Sequence, residues 1–474
     1  MSADCCCGTG PGYASPAHAV GGPREKLIYV TCPRFKSDKS DYLATVDVSL
    51  FWVISRLYLP YASDEVHHTG WNACSSCFGD SKVRRSHLMM PCLNSSRVYV
   101  VDTHTDEKNP KIHKVIEPEE LFKHDVSFPH TTHCLADGNV MISTLGDAKD
   151  NAKGNFILVD SKTFAVKGKW ATEDVAFNYD YWYQPRYNAM ISTEWGTPAN
   201  IKKGFDLNDV KNGKYGHSLH VWNWKTHKKM QTIELDPIRG CMPLEVRFLH
   251  NPDNTHGYTG CALGSSVVHF NLNHERGKFD ANEVIAIPSK TVSNWLLPEM
   301  PGLITDIIIS MDDRFLYFSC WLHGDIRQYD IKNPNKPELV GQIFLGGSIT
   351  KGGPVKVTND TELKEQPDPL VVKGRLIDGG PQMLQLSLDG RRLYVTTSLY
   401  NAWDAQFYPD LVKNGAVMLQ VDVDTVNGGL TLNKEFLVDF GKEPHGPVAA
   451  HEMRYPGGDC TSDIFLSSEF SSKI

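Results

Sequence analysis

One short pattern recurs through the chain and narrows the folds open to it. A strand-like run ends in an acidic or amide residue, a polar turn follows, and a second strand-like run begins. Copies start with Leu43 to Asp47, Arg97 to Asp102, Phe156 to Asp160, Leu219 to Asn223, Val267 to Asn271, Ile326 to Asp330 and Met418 to Asp422. Their terminal Asp or Asn residues fall 48 to 63 residues apart, except for a last interval of 92 that contains the polar stretch Lys351 to Lys373. A second hairpin type is interleaved: Cys134 to Ser143, Trp182 to Thr193, Val246 to Leu263, Ile307 to Phe318 and Leu384 to Thr397. Two hairpins per unit make a four-stranded sheet. Such sheets repeated without helical crossovers read as blades, so the expectation is an all-β, seven-bladed β-propeller. A tandem of immunoglobulin-like modules would need separate cores and linkers, which the pattern lacks.

The expected organisation is a flexible Cys-containing segment over residues 1–24, then one propeller domain over 25–474. The polar insertion at 351–373 is expected to be exposed and mobile, since it has no apolar period. Ring closure is expected to pair the strand around Asp41 to Val48 with strands near the C-terminus, because an unclosed ring leaves bare edges.

The 474 residues carry 48 Lys and Arg against 56 Asp and Glu, a net charge of −8, which argues against nucleic acid as a partner. The greasiest stretch, Trp295 to Ile309, is broken by Pro298, Glu299, Pro301 and Asp306, so no integral membrane span is expected. The first twelve residues lack the basic start and apolar run of a secretory signal. The expected location is the cytosol, with nuclear or peripheral membrane association left open. In that compartment the twelve cysteines are expected to be mostly free thiols.

Histidine is the informative residue type. His133, His250 and His451 each stand just before a turn at one phase of the repeat, and His67-His68 occupy the corresponding place of the first unit. The first strand of each propeller blade lines the central channel, so equivalent positions converge on the axis. Imidazoles at a common phase in four units favour a metal site over isolated hydrogen-bonding histidines. Cys74-Ser75-Ser76-Cys77 is a lone CxxC, able to oxidise or to bind a soft metal, and also readable as two loop thiols. The Cys5-Cys6-Cys7 run reads as thiophilic or as surface thiols without function. No dinucleotide fingerprint, P-loop or nucleophile elbow is present.

Several longer motifs resemble the selenium-binding protein family. They are His67-His68-Thr69-Gly70-Trp71-Asn72-Ala73-Cys74-Ser75-Ser76-Cys77-Phe78-Gly79-Asp80, Tyr181 to Arg186, Trp295 to Asp306, Trp321-Leu322-His323-Gly324-Asp325 and His451 to Cys460. The resemblance runs from about Gly10 to Ile464. It implies a propeller and methanethiol oxidase activity, in which methanethiol, O2 and water give formaldehyde, hydrogen sulfide and hydrogen peroxide. It also implies copper, with His67, His68, His133 and His451 as ligands; His250 and His323 are second-rank members of the histidine ring. A bound cation would lower the pKa of the substrate thiol, and Glu194, Glu299 and Glu452 are the candidate catalytic carboxylates for moving the proton. Selenium is a further candidate ligand. Between Asp47 and Arg56, however, the chain is shorter than vertebrate relatives and lacks the cysteine they carry there. The alternative reading is a non-enzymatic, selenium-binding or trafficking-associated propeller scaffold. Convergent histidines and the missing cysteine put the oxidase ahead.

Overall fold

A computed structural model describes residues 10–35 and 38–466. Seven antiparallel sheets carry the fold, six of four strands and one of five, and this count fits the seven expected blades. Their innermost strands, in ring order, are Gly70–Trp71, Ser127–Cys134, Asn178–Gln184, Pro243–Phe248, Ile304–Ile309, Leu384–Leu386 and Met453–Arg454. Each contacts the next around the central axis. We number the blades 2 to 7 from the first six of these strands. Blade 1 is the sheet that Met453–Arg454 completes.

The repeated Asp and Asn residues lie at or just before the end of the third strand of each blade, and their role is local. The side chain of Asp47 accepts hydrogen bonds from the backbone N–H groups of Ser49 and Leu50. Asp102 does the same for His104 and Thr105, Asp160 for Lys162 and Thr163, and Asn223 for Lys225 and Thr226. These are Asx turns, which fold the chain back on itself without needing any distant partner. In blades 5 and 7 the turn slides two residues on, to Asn273 and Asp424.

Closure occurs at the C-terminus as expected, but one strand away. Met453 and Arg454 pair with Val30 and Tyr29 of Leu27–Cys32, and Ser40–Asp47 lies on the other side of that strand. Leu27–Cys32 is buried along its whole length, so its sequence shows no alternation to mark it as a strand. Beyond Phe440 the chain also supplies Glu443, which accepts from Tyr42 at 2.8 Å and is clasped by Arg56. Truncation after Phe440 is therefore expected to bare an edge and cost several kcal/mol, since burial of Val448 and Met453 alone is worth about 1.5–3 kcal/mol each. Urea unfolding would check this: a midpoint equal to that of the full chain would show that the ring does not depend on its clasp.

The polar insertion is largely exposed, as expected, but it is anchored. Instead of hanging free, it contributes Lys356–Asn359 to a three-stranded sheet with Lys290–Ser293 and Glu299–Met300. Glu362 accepts from Arg327 at 2.7 and 2.9 Å, and Asp360 accepts from the buried Lys290 at 2.7 Å. Its charges look solvated in sequence because their partners lie 35 to 70 residues away. Of the N-terminal segment, residues 1–9 and the Cys5-Cys6-Cys7 run lie outside the described residues. Residues 10–24 rest against the ring: Tyr13 N–H donates to Ser75 Oγ at 2.9 Å, and the turn of helix Pro16–Val20 buries Ala19 beside blades 6 and 7.

Candidate metal centre

Histidines from three blades meet where the inner strands begin. His67 and His68 precede Gly70–Trp71, His451 precedes Met453–Arg454, and His130 comes from within Ser127–Cys134. The ring centroids are 3.7 Å apart for His67 and His451, 3.9 Å for His68 and His130, and 5.3 Å for His67 and His130. One ligating nitrogen each from His67, His68 and His130 lies within 4.8 Å of the other two. All four histidines are buried.

The backbone holds them there. Thr31 of blade 1 donates its hydroxyl to the His67 carbonyl at 3.0 Å and its carbonyl accepts from His451 N–H at 3.0 Å. Gly70 lets blade 2 press on blade 3, since a Cβ there would lie 2.2 Å from the carbonyl oxygen of Thr132. His130 faces the cluster because the register of its strand slips between Pro129 and Thr132. Comparable slips occur at Asn178/Tyr181, Pro243/Val246 and Ile304/Asp306 in blades 4, 5 and 6. Bulges of this kind re-aim side chains. Here they release His130, Asp180 and Glu245 from strand pairing, with Asp306 at the edge of the fourth slip.

The protonation states suit ligation. Burial pushes His67, His68 and His130 well below the ordinary imidazole range, with neighbouring imidazoles adding to the effect, and takes His451 down to about 4. His451 Nδ1 lies 2.8 Å from the Ser398 carbonyl, so it carries the proton and leaves Nε2 bare. Thr131 donates its hydroxyl to Asp180 at 2.7 Å and so must accept from His130 Nδ1 at 2.9 Å, which again leaves Nε2 bare. Among the described residues, His67 Nδ1, His130 Nε2 and His451 Nε2 are buried with no hydrogen-bond partner. Buried polar atoms are rarely left so. Converging neutral imidazoles fit copper, zinc or iron.

Two carboxylates flank His68. Glu452 lies 3.5 Å from Nδ1 and Glu245 lies 3.8 Å from Nε2. Burial raises Glu452 to about 7 and Glu245 well above the carboxylate range. Both oxygens of Glu452 are occupied, by Thr69 and Arg454, whereas Oε1 of Glu245 has no hydrogen-bond partner among the described residues. Arg247 binds Glu245 and Asp180, each at 2.9 Å. An aromatic cover of Tyr179, Trp195, Tyr400 and Trp403 packs on the cluster side. Its residues come largely from insertions of blades 4 and 7, which interlock through paired hydrogen bonds between Gln406 and the backbone of Phe205. The arrangement can hold a cation and transfer a proton in a site shielded from bulk water.

Of the residues singled out from sequence, His67, His68, His451 and Glu452 are brought together. His133 lies three residues beyond His130, with its ring edge-on to Tyr181, Trp182 and Tyr183. His323 is not among the clustered rings; its Nε2 lies 3.1 Å from the Met300 carbonyl and its Nδ1 is buried without a hydrogen-bond partner. Glu194 is committed to His220 and to the backbone of His217 and Ser218, and Glu299 is exposed and bonded to Thr291. Neither is therefore placed for the chemistry expected of it. Cys74 and Cys77 are buried free thiols. The residues missed are His130, Glu245, Asp180 and Arg247. A polar residue interrupting an apolar inner strand at one phase of successive repeats was the signal that could have found them.

His250 is held at both ring nitrogens, by Asp313 at 3.1 Å and the Cys460 carbonyl at 2.9 Å, so neither is free for a metal. Burial opposes its charge, but Asp313 and the carbonyl outweigh burial and raise its pKa. A raised pKa means that its contribution to stability is present below the unfolded value of about 6.5 and is lost as pH rises through the folded value. His250→Gln is expected to flatten the fall in stability above neutral pH, checked by urea midpoints from pH 6 to 9. An unchanged slope would show that His250 is neutral in the folded protein.

The family model for the 56 kDa selenium-binding protein matches residues 7–466. The chain is 60% identical to the methanethiol oxidase of Xenopus laevis and 58% identical to that of Homo sapiens, each over 97% of this chain and 99% of the relative. A hypothetical selenium-binding protein of Sulfolobus tokodaii superposes with a TM-score of 0.84 at 35% identity, covering 96% of this chain and 99% of that one. The periplasmic gluconolactonase of Pseudomonas aeruginosa shares the fold alone, with a TM-score of 0.55 at 10% identity over 90% of this chain and 98% of its own.

Proposed function

Because the chain belongs to the 56 kDa selenium-binding protein family, we propose that it is a methanethiol oxidase, converting methanethiol, O2 and water to formaldehyde, hydrogen sulfide and hydrogen peroxide at a copper centre. Near-full-length relatives carry that activity in their names. The observation that carries the copper reading is the set of bare, neutral imidazole nitrogens converging from blades 1, 2 and 3. His67, His68, His130 and His451 would hold the ion, which when bound lowers the pKa of the substrate thiol and passes electrons to O2.

The chain's own residues do the rest. Glu245, with a free oxygen beside His68, accepts the proton that the substrate gives up, and Arg247 holds the other oxygen to fix its orientation. Thr131 and Asp180 keep His130 in the tautomer that leaves Nε2 available. Tyr179, Tyr400, Trp195 and Trp403 exclude bulk water and offer an apolar wall to a methyl group. We place the protein in the cytosol, where its nine described thiols would stay reduced. No helix among the described residues is long and apolar enough to cross a membrane.

The test is metal analysis of untagged protein together with turnover of methanethiol, reading sulfide and peroxide. About one copper per chain and release of both products are expected. Turnover that persists after complete copper removal would refute the copper centre, and copper-loaded protein without turnover would refute the oxidase.

A further inference from the structure

Three thiols converge at a second place in the ring. Cys74 precedes and Cys77 ends the tight turn Ser75–Cys77 that follows the inner strand of blade 2, and Cys134 ends the inner strand of blade 3. The Ser76 hydroxyl lies 3.2 Å from Cys74 Sγ, 3.5 Å from Cys134 Sγ and 3.8 Å from Cys77 Sγ. Cys77 is 9% exposed, against 1% for Cys74 and 2% for Cys134.

The three are not equivalent. A hydrogen bond with Cys134 is the main cause that brings the Cys77 thiol down to about 7, aided by Ser76 and a backbone contact at Cys74 and opposed by burial. Burial instead raises Cys32, Cys92, Cys134, Cys241, Cys261, Cys320 and Cys460. A thiolate that water can reach, beside a second thiol, is the arrangement that peroxides oxidise.

We propose that Cys77 and Cys134 form a hydroperoxide-reactive thiol pair. The Cys77 thiolate attacks one oxygen of hydrogen peroxide, the O–O bond breaks, and hydroxide leaves with the electron pair to give the Cys77 sulfenic acid. The Cys134 thiol then attacks that sulfur, an S–S bond forms, and the hydroxyl leaves as water with the Cys134 proton. The two thiols together lose two electrons, and the peroxide gains them. This pairing differs from the CxxC reading of the sequence, since Cys77 Sγ lies across the blade boundary, 3.8 Å from the carbonyl of Leu135, the residue that follows Cys134. The bond would staple blade 2 to blade 3, the blades that supply His67, His68 and His130.

The test uses the reduced full-length protein with added equimolar hydrogen peroxide, so its outcome does not depend on what the protein itself oxidises. After alkylation, peptides are mapped without reduction, with the Cys5-Cys6-Cys7 run read on its own peptide. A Cys77–Cys134 disulfide is expected before any of the other buried thiols is modified, and Cys74→Ser is expected to leave it intact. Cys77→Ser is expected to slow loss of the Cys134 thiol by at least ~10-fold, and Cys134→Ser to leave a sulfenic acid at Cys77 that dimedone traps. A Cys74–Cys77 disulfide, or Cys77 reacting no faster than Cys241, would overturn the proposal. The wild-type mapping decides even where a variant folds poorly.

Discussion

His130→Ala is expected to abolish stable copper binding and to lower methanethiol turnover by on the order of 100-fold or more, while His133→Ala changes either by no more than a few-fold. Outer residues that only orient a ligand are worth about 10–100-fold, and His130 sits within ligating distance of His67 and His68. Thr131→Val falls in that outer class. It removes the acceptor for His130 Nδ1–H, and an intermediate loss of about 10–100-fold is expected. Copper content and turnover of the three variants, measured side by side, check the order. Full copper and full turnover in His130→Ala, with both lost in His133→Ala, would move the centre three residues along the strand.

Arg247→Met is expected to give the largest loss of stability of any single channel substitution. The guanidinium is buried, bonded to Asp180 and Glu245 at 2.9 Å, 3.9 Å from Asp306, and stacked over Trp182. Its removal leaves buried carboxylates without their cation, a change that costs about 3–5 kcal/mol. The pH dependence has a fixed sign. Burial already raises Asp306 to about 7 and Glu245 well above the carboxylate range. Without Arg247 both rise further, so the folded variant takes up protons that the unfolded chain releases. The deficit should therefore be largest above pH 7 and shrink toward pH 5. Urea unfolding at pH 5 and pH 8 measures it, and an equal deficit at both values would show that the carboxylates do not titrate with the fold.

Much of the architecture was legible before any coordinates because it rests on local chemistry. Asp47, Asp102, Asp160 and Asn223 close their turns with their own side chains onto residues two and three positions on, and a bond that short in sequence leaves a mark at every repeat. Apolar alternation then gives the strands, and the spacing gives the number of sheets. The family motifs and the turn phase marked His67, His68, His133 and His451 as one ligand set, and the first, second and last of these do meet. Tertiary structure alone placed His130 beside them. Counting back from a turn assumes a regular strand, whereas a slip between Pro129 and Thr132 changes which side chains face the axis, so that His130 joins the cluster and His133 packs on Trp182. The same slips released Glu245 and Asp180, and burial then made the imidazoles neutral and the carboxylate of Glu245 basic. Convergence on an axis and loss of water are properties of the closed ring, and no local stretch of sequence carries them.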